Sequence, residues 1–569
     1  MKSFFRVLFP ALEIQFASML GFGLTLLVSY FYLFQADPRF PQEEPWIIWV
    51  GFGLSALAFL LGHFGGRALG LDRKITLSQG AWIVLLSWTI ACSISALVFV
   101  LAGFPVPEKI EHLGFIRRFM DGLFESMSGF TTTGTSILPS VEAFSRSILF
   151  WRALTHWIGG MGLAYLAMTL WKHFTVNRSH VINAESETPN LVLFKQEEDA
   201  QAAGRDFLKI YILLTLILVL LLCLSGAWFR LNPYEAWYDN VYDAITTAFA
   251  TMGTGGFMAY NASIGLPVLN AEGVEVMGGL QNPTSEWIIA FFMLFASLNF
   301  TLWYVLFFQG KPQVMFKNKE FQTHIGFVLL ITLGIWLLLN HGIYSHSIWE
   351  NLRYAFFNVT NIISTTGFIN DDFTQWPVAA QAVLFICYLV GASVGSTGGG
   401  LKFTRFIVLF KHGWIQMKNL IHGRNESTTF ILDGVEYDEQ KAGLITINIV
   451  VYYLLFLLGG VLILMTSSKV FFTDGSVRQL DFVSGFTAAI ANLGNIGPSI
   501  VNGEVGDGPT GNYSAFTTSA KFIMYILMFI GRVGVLTFLM IIMTERGQEA
   551  IEKTRPSVSF DADEPLILK

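Results

Sequence analysis

Residues 129–136 read GFTTTGTS and residues 364–368 read STTGF. Both are polar, threonine-rich and centred on glycine, yet both lie between apolar stretches long enough to cross a bilayer. Two more segments of the same kind occur. The four are Asp121–Gly134 (DGLFESMSGFTTTG), Asp243–Gly256 (DAITTAFATMGTGG), Tyr354–Gly367 (YAFFNVTNIISTTG) and Ser484–Gly497 (SGFTAAIANLGNIG). Aligned on the last glycine, each has 14 residues, and the glycines follow one another at intervals of 122, 111 and 130 residues. An apolar span precedes each stretch and another follows it. The unit is span, short helix, glycine loop, span, repeated four times. In the second stretch Gly256 is chosen by the common spacing, with Gly255 as the alternative.

Composition sets the environment. Of 569 residues, 53% are hydrophobic and 13% charged, against about 25% charged in a soluble chain. Mean hydropathy is +0.54. The chain is an all-α polytopic membrane protein. A net charge of −6 without a basic tract gives no footing for nucleic acid. Cys92, Cys223 and Cys387 lie far apart in apolar runs, so neither a disulfide framework nor a zinc site is indicated.

With about 20 apolar residues per crossing, ten spans are expected, at 11–34, 46–66, 76–104, 145–171, 207–229, 286–309, 324–341, 378–410, 442–466 and 519–543. The first is read as an uncleaved span, since no small-residue cleavage site follows a short apolar core. Basic residues follow every even-numbered span: Arg67, Arg73 and Lys74; Lys172 and Arg178; Lys311, Lys317 and Lys319; Lys411, Lys418 and Arg424; Arg546, Lys553 and Arg555. The opposite loops are poorer in base and carry Asp37, Glu43, Glu44, Glu272, Glu275 and Glu286. The positive-inside rule then puts both termini in the cytoplasm.

Each short stretch is too short to cross and reads as a re-entrant segment. Irregular backbone at membrane depth is tolerated where it is buried in protein or lines a watery cavity. Four such segments about a pseudo-four-fold axis would form a pore. A ring of backbone carbonyls can replace the water shell of a potassium ion, glycine reaches the backbone conformations this requires, and threonine hydroxyls add acceptors. The short helices would turn their partially negative C-termini toward the ion. The bland alternative is that each glycine ends an ordinary helix at its C′ position.

These residues resemble the Trk/Ktr/HKT superfamily of potassium transporters over about residues 76–545. TTTG at 131–134, STTGF at 364–368 and NIGPS at 495–499 are similar to its filter sequences, with TMGTGGF at 251–257 in second place. WIGGMG at 157–162, GSTGGGLK at 395–402, and Lys521 with MFIGRVG at 528–534 are similar to its first, third and fourth post-filter helices. GRVG is closer to the KtrB branch, and the two extra N-terminal spans resemble the TrkH branch. The resemblance implies a potassium-uptake pore of four fused helix–pore-loop–helix repeats with two added N-terminal helices. Its filter would be Thr132, Thr133 and Gly134; Thr254, Gly255 and Gly256; Thr365, Thr366 and Gly367; and Asn495, Ile496 and Gly497. Glycine at all four ring positions resembles potassium-selective members. The implied units are an N-terminal pair at 1–74, repeats at 75–173, 205–310, 320–412 and 440–545, and a cytoplasmic tail at 546–569. The resemblance also implies a bacterial cytoplasmic membrane, a homodimer, and cytosolic nucleotide-binding regulatory subunits of TrkA/KtrA type. Potassium would be the transported ion, with no organic cofactor.

Below the third filter, GASVGSTGGGLK at 391–402 falls inside a span. Its five glycines, at about 1 kcal/mol each relative to alanine, should break the helix. By resemblance the break is a gate of Gly395, Ser396, Thr397, Gly398, Gly399, Gly400 and Lys402. A phosphate-binding loop needs glycine directly before lysine and Ser/Thr after it, whereas Leu401 intervenes and Phe403 follows. A packing kink is the other alternative. Arg532 lies mid-span, roughly 16–20 Å from either surface at 1.5 Å per residue. Burial there costs about 2.5–3.5 kcal/mol. It is expected to face the pore or pair with the glycine-rich break, the plain alternative being backbone carbonyls alone. His156 and Arg152 are expected at the membrane interface. The stretches 172–205 and 411–441 show no obvious folded pattern.

Two other functions compete. One is a sodium-permeable or cation-coupled symporter of the same fold. The other is an integral-membrane enzyme, for which no HExxH, paired intramembrane carboxylates or nucleophile motif is found.

Overall fold

The computed structural model describes residues 2–35, 40–70, 75–103, 114–138, 140–170, 197–228, 236–261, 282–341, 347–423, 429–467, 477–499 and 513–542, with short pieces at 193–194, 263–264, 268–269, 275–276, 280, 469–471 and 557–558. Much of the sidedness expectation rests on Arg73, Lys74, Lys172, Arg178, Arg424, Arg546, Lys553, Arg555, Asp37 and Glu272, which lie outside the described residues, as does the 546–569 tail apart from 557–558.

Four outer helices, Leu77–Leu101, Glu197–Trp228, Lys319–His341 and Glu439–Thr466, each precede a pore helix: Phe115–Phe130, Trp237–Met252, Ile348–Ile363 and Phe482–Leu493. The longest pore helices have 16 residues, about 24 Å at 1.5 Å per residue, which is less than the hydrocarbon thickness. Side-chain oxygens start two of them. Ser347 and Glu350 form a capping box on the third, and Asp481 accepts from Ser484 N at 2.8 Å on the fourth. The outer helices turn apolar side chains outward. Leu216, Leu220 and Leu224 are exposed one turn apart, as a lipid-facing stripe requires.

Every inner helix is interrupted. The first is Arg146–Met161 then Leu163–Leu170, the second Pro283–Ala296 then Phe300–Gln309, the third Val378–Leu389 then Phe403–His422, and the fourth Thr518–Val533 then Val535–Ile542. The second turns by 101° at its break. Among the described residues six helices are long and apolar enough to cross, with Phe4–Phe34 counted as one. The expected spans at 145–171, 286–309, 378–410 and 519–543 are therefore pairs of shorter helices. The first span also differs, since it begins at Lys2 and is broken at Ile14–Gln15. The described parts of the stretch 411–441, residues 411–423 and 429–441, are folded, against expectation. The third inner helix runs to His422, and Phe430–Leu432 and Val435–Tyr437 form an antiparallel hairpin.

The repeats close into a ring. Each pore helix packs on its own outer helix, on its own inner helix and on the inner helix of the repeat before it, and the fourth inner helix packs on the first pore helix. The N-terminal helices Phe16–Phe34 and Pro45–Ala68 brace the first two repeats. Phe22 stacks on Trp151 at 3.7 Å, the Tyr32 hydroxyl donates to Asp239 at 3.2 Å, and the Glu43 carboxylate accepts from Ser147 N at 2.9 Å at the start of the first inner helix.

Candidate functional site

Each pore helix ends in the same way. Thr132, Thr254, Thr365 and Asn495 have φ of 56°, 54°, 61° and 53°. The N–H of each bonds three residues back, and the N–H of the next residue bonds five back: Thr133 to Ser128 O at 2.9 Å, Gly255 to Ala250 O at 2.8 Å, Thr366 to Asn361 O at 2.9 Å and Ile496 to Ala491 O at 2.8 Å. This is the Schellman pairing, with threonine or asparagine in the left-handed position where glycine is usual. The glycines stand two residues further on, so the reading of them as helix C′ residues does not hold. A β-branched residue in this region is strained by about 1–3 kcal/mol.

Gly134, Gly256, Gly367 and Gly497 have φ of 80°, 79°, 81° and 93°. A Cβ on Gly134 would stand 2.1 Å from Gly255 O, on Gly256 2.2 Å from Thr366 O, on Gly367 2.1 Å from Ile496 O, and on Gly497 2.6 Å from Thr133 O. Each repeat's glycine meets the middle carbonyl of the next, and the fourth returns to the first. In the second repeat Gly256 occupies the ring, while Gly255 supplies the carbonyl. All four ring glycines open onto one vestibule of about 160 Å³.

Side chains behind the ring hold its strands. Asn361 accepts from Phe368 N at 2.7 Å and donates to Phe368 O at 2.6 Å. Tyr513 and Tyr388 donate to Gly497 O and Pro498 O at 2.9 and 3.0 Å. Arg152 donates to Glu125 at 2.7 Å and to Met258 O at 3.0 Å, and Glu125 accepts from Ile137 N at 3.1 Å. His156 sits 2.8 Å from Gly129 O. Arg152 and His156 are thus buried in protein beside the ends of the first two pore helices. Sequence spacing could not reveal Asn361, Tyr388, Tyr513 or the Glu125–Arg152 pair as filter supports. The available signal was a charge inside a 16-residue pore helix.

The glycine-rich segment breaks the third inner helix between Leu389 and Phe403 and lies against the ends of the third and fourth pore helices. Gly399 N donates to Thr365 Oγ1 at 2.9 Å, and a Cβ on Gly399 or Gly400 would come within 2.5 Å of Asn495 Oδ1 or 3.0 Å of Gly494 O. Phe300 N donates to Gly395 O at 3.0 Å, Ser396 Oγ to Ser393 O at 2.6 Å, and Thr397 Oγ1 to Ala296 O at 3.2 Å. Lys402 turns its ammonium back onto Gly398 O. Arg532 donates to Thr397 O of this loop, and to Gly159 O and Gly160 O, at 2.5 and 2.7 Å, beside the break in the first inner helix. All three acceptors are backbone carbonyls, one from the loop and two from the first inner helix; no spacing in the sequence pointed to the latter two.

The family model described as TrkH, cation transport protein, matches residues 110–554. The chain is 30% identical over 467 residues to the Trk system potassium uptake protein TrkH of Escherichia coli K12, covering 81% of this chain and 84% of that protein. It is 26% identical over 476 residues to the Trk system potassium uptake protein TrkI of Halomonas elongata, covering 82% and 85%. The fold matches the crystal structure of the potassium transporter TrkH from Vibrio parahaemolyticus with a TM-score of 0.71 at 24% identity, over 94% of this chain and 99% of that one.

Proposed function

The chain belongs to the TrkH family of cation transport proteins, and from that premise we propose that it is the pore subunit of a bacterial potassium-uptake system, with Gly134, Gly256, Gly367 and Gly497 as one selectivity filter. It is a multi-pass membrane transporter and not an enzyme. The observation that carries the filter is the cyclic contact of each ring glycine with the next repeat's carbonyl. Carbonyls held in a ring by buried side chains can substitute for the hydration shell of a potassium ion, and four helix C-termini aimed at the same point favour a cation.

The loop from Gly395 to Gly400, with Lys402, is the gate in this reading, and Arg532 its latch. Direct bonding of the loop to Thr365 supports this, because the loop occupies the floor of the filter. Arg532 adds positive charge on the same side of the filter. The protein would act in the cytoplasmic membrane as a homodimer with both termini inside, under cytosolic nucleotide-binding subunits, as the sequence resemblance implies.

The deciding experiment is Gly367→Asp, which sets a carboxylate against the Ile496 carbonyl. Potassium-dependent growth of a transport-deficient bacterium should be lost while the protein still reaches the membrane. Normal potassium uptake by the variant would remove the filter assignment.

A further inference from the structure

The segment 390–402 is a closed loop with a neck, and the neck is held from outside. Gly391 N donates to Leu401 O and Phe403 N to Ala392 O, both at 2.9 Å, so the two ends run side by side. Above the neck, residues 395–400 reach the filter floor. Beside it lies the start of the third outer helix. There a single oxygen, Glu320 Oε1, accepts from Val394 N at 3.1 Å and from the Thr404 hydroxyl. Val394 precedes residues 395–400 and Thr404 follows the whole segment. One buried carboxylate therefore staples the two ends together. One turn along the same helix, His324 is fully buried between Ser393 Oγ at 3.1 Å and Ser297 Oγ at 3.3 Å. It ties the same end of the loop to the break in the second inner helix.

The helix carrying these two residues is itself capped by the hairpin that precedes the fourth repeat. Asp433, at the hairpin turn with φ of 47°, accepts from Lys319 N at 2.6 Å and Glu320 N at 2.9 Å. A carboxylate there satisfies N–H groups that the helix leaves unpaired and complements its dipole. Asp433 thereby sets the position of Glu320.

We propose that Glu320, with His324, is a positioning residue for the gate: it fixes the neck of the loop and so holds residues 395–400 under the filter, and Asp433 of the 430–437 hairpin is the handle by which this grip is set. The proposal rests on the gate reading above. None of the three residues meets the ion path or the filter, so each should change how often the gate opens and leave the choice of ion alone. Removing an acceptor that serves both sides of the neck leaves buried donors unpaired, and that loss falls on a closed state that depends on them.

The test is potassium and sodium flux into proteoliposomes for E320A, E320Q, H324A, D433N and a chain lacking Ser396–Gly399, each checked for membrane abundance and melting. E320A should raise the maximal potassium flux on the order of ten-fold, about the net loss of one hydrogen bond. E320Q, H324A and D433N should raise it less, all with the potassium-to-sodium ratio and the apparent potassium affinity unchanged. In the loop-deleted chain none of the four substitutions should add anything. If E320A does not fold, E320Q and D433N decide. The deletion alone leaving flux unchanged would overturn the gate reading itself. A faster deletion variant beside native rates for folded E320Q and H324A would overturn the staple alone. A native rate for D433N beside a faster E320Q would remove the hairpin from the device. Effects that multiply with the deletion, or a shifted ion ratio, would also sink the proposal.

Discussion

At the scale of single residues the four ring positions are alike in φ but unequal in room. A β-carbon on Gly497 would stand 2.6 Å from the carbonyl opposite, against 2.1–2.2 Å at the other three positions. Alanine at Gly134, Gly256 or Gly367 should therefore abolish potassium uptake, and Gly497→Ala should leave the largest residual tracer uptake of the four. Equal loss at all four would show that φ alone, and not clearance, governs the ring. Gly134→Ser meets the same 2.1 Å contact, so it should lower potassium uptake and raise sodium permeation relative to it. Behind the ring, Glu125 and Arg152 form a buried pair 2.7 Å apart. Removing one partner of such a pair costs about 3–5 kcal/mol because the other charge stays buried. Glu125→Gln should lower the melting temperature in detergent more than the double variant Glu125→Gln/Arg152→Met, and the reverse order would contradict a mutual dependence.

At the scale of elements, the four broken inner helices explain why an arginine is tolerated in mid-span. A break frees carbonyls from helical pairing, and a guanidinium with five donors can use several at once. Arg532 takes one from the glycine-rich loop and two from the first inner helix. Deleting Ser396–Gly399 should raise potassium flux, because a loop is removed and no packed helix is lost. Arg532→Gln should raise flux with selectivity intact. Combined, the two should fall short of additivity, since the loop is one anchor of Arg532. They should still retain part of the arginine's effect, since Gly159 and Gly160 remain as acceptors. Strictly additive free energies in that cycle would mean independent action.

At the scale of the whole molecule, ion pairs near the pore-helix starts join neighbouring repeats. Arg146 lies 3.4 Å from both Asp239 and Asp243, Arg353 3.2 Å from Glu286, and Lys521 3.0 Å from Asp121. These tie repeat one to two, two to three, and four back to one. Repeats three and four are joined by hydroxyls, Tyr388 on Pro498 O at 3.0 Å and Tyr453 on Leu389 O at 2.8 Å. Lys521–Asp121 spans 400 positions of sequence and closes the ring. Lys521→Ala should destabilise the folded protein by about 3–5 kcal/mol, with partial recovery when Asp121 is also replaced by asparagine. An unchanged melting temperature for Lys521→Ala would show that packing alone closes the ring.

Much of this was legible in the chain. Apolar length gave the spans, the spacing of four glycines gave the repeat, and five glycines within twelve residues placed the break that the structure puts between Leu389 and Phe403. These are local properties, because helix length, backbone freedom and hydropathy depend on neighbours in sequence. What depends on distant neighbours was out of reach. Only the closed ring shows that threonine and asparagine end the pore helices and leave the glycines facing the next repeat's carbonyl. Only packing brings Arg532 to Gly159 and Gly160, more than 370 positions away, and turns Arg152 and His156 inward. Two residues far apart along the chain carry no mutual signal in a single sequence. The contacts that close the glycine ring and seat the glycine-rich loop under it are of that kind, whereas the elements that carry them were written locally.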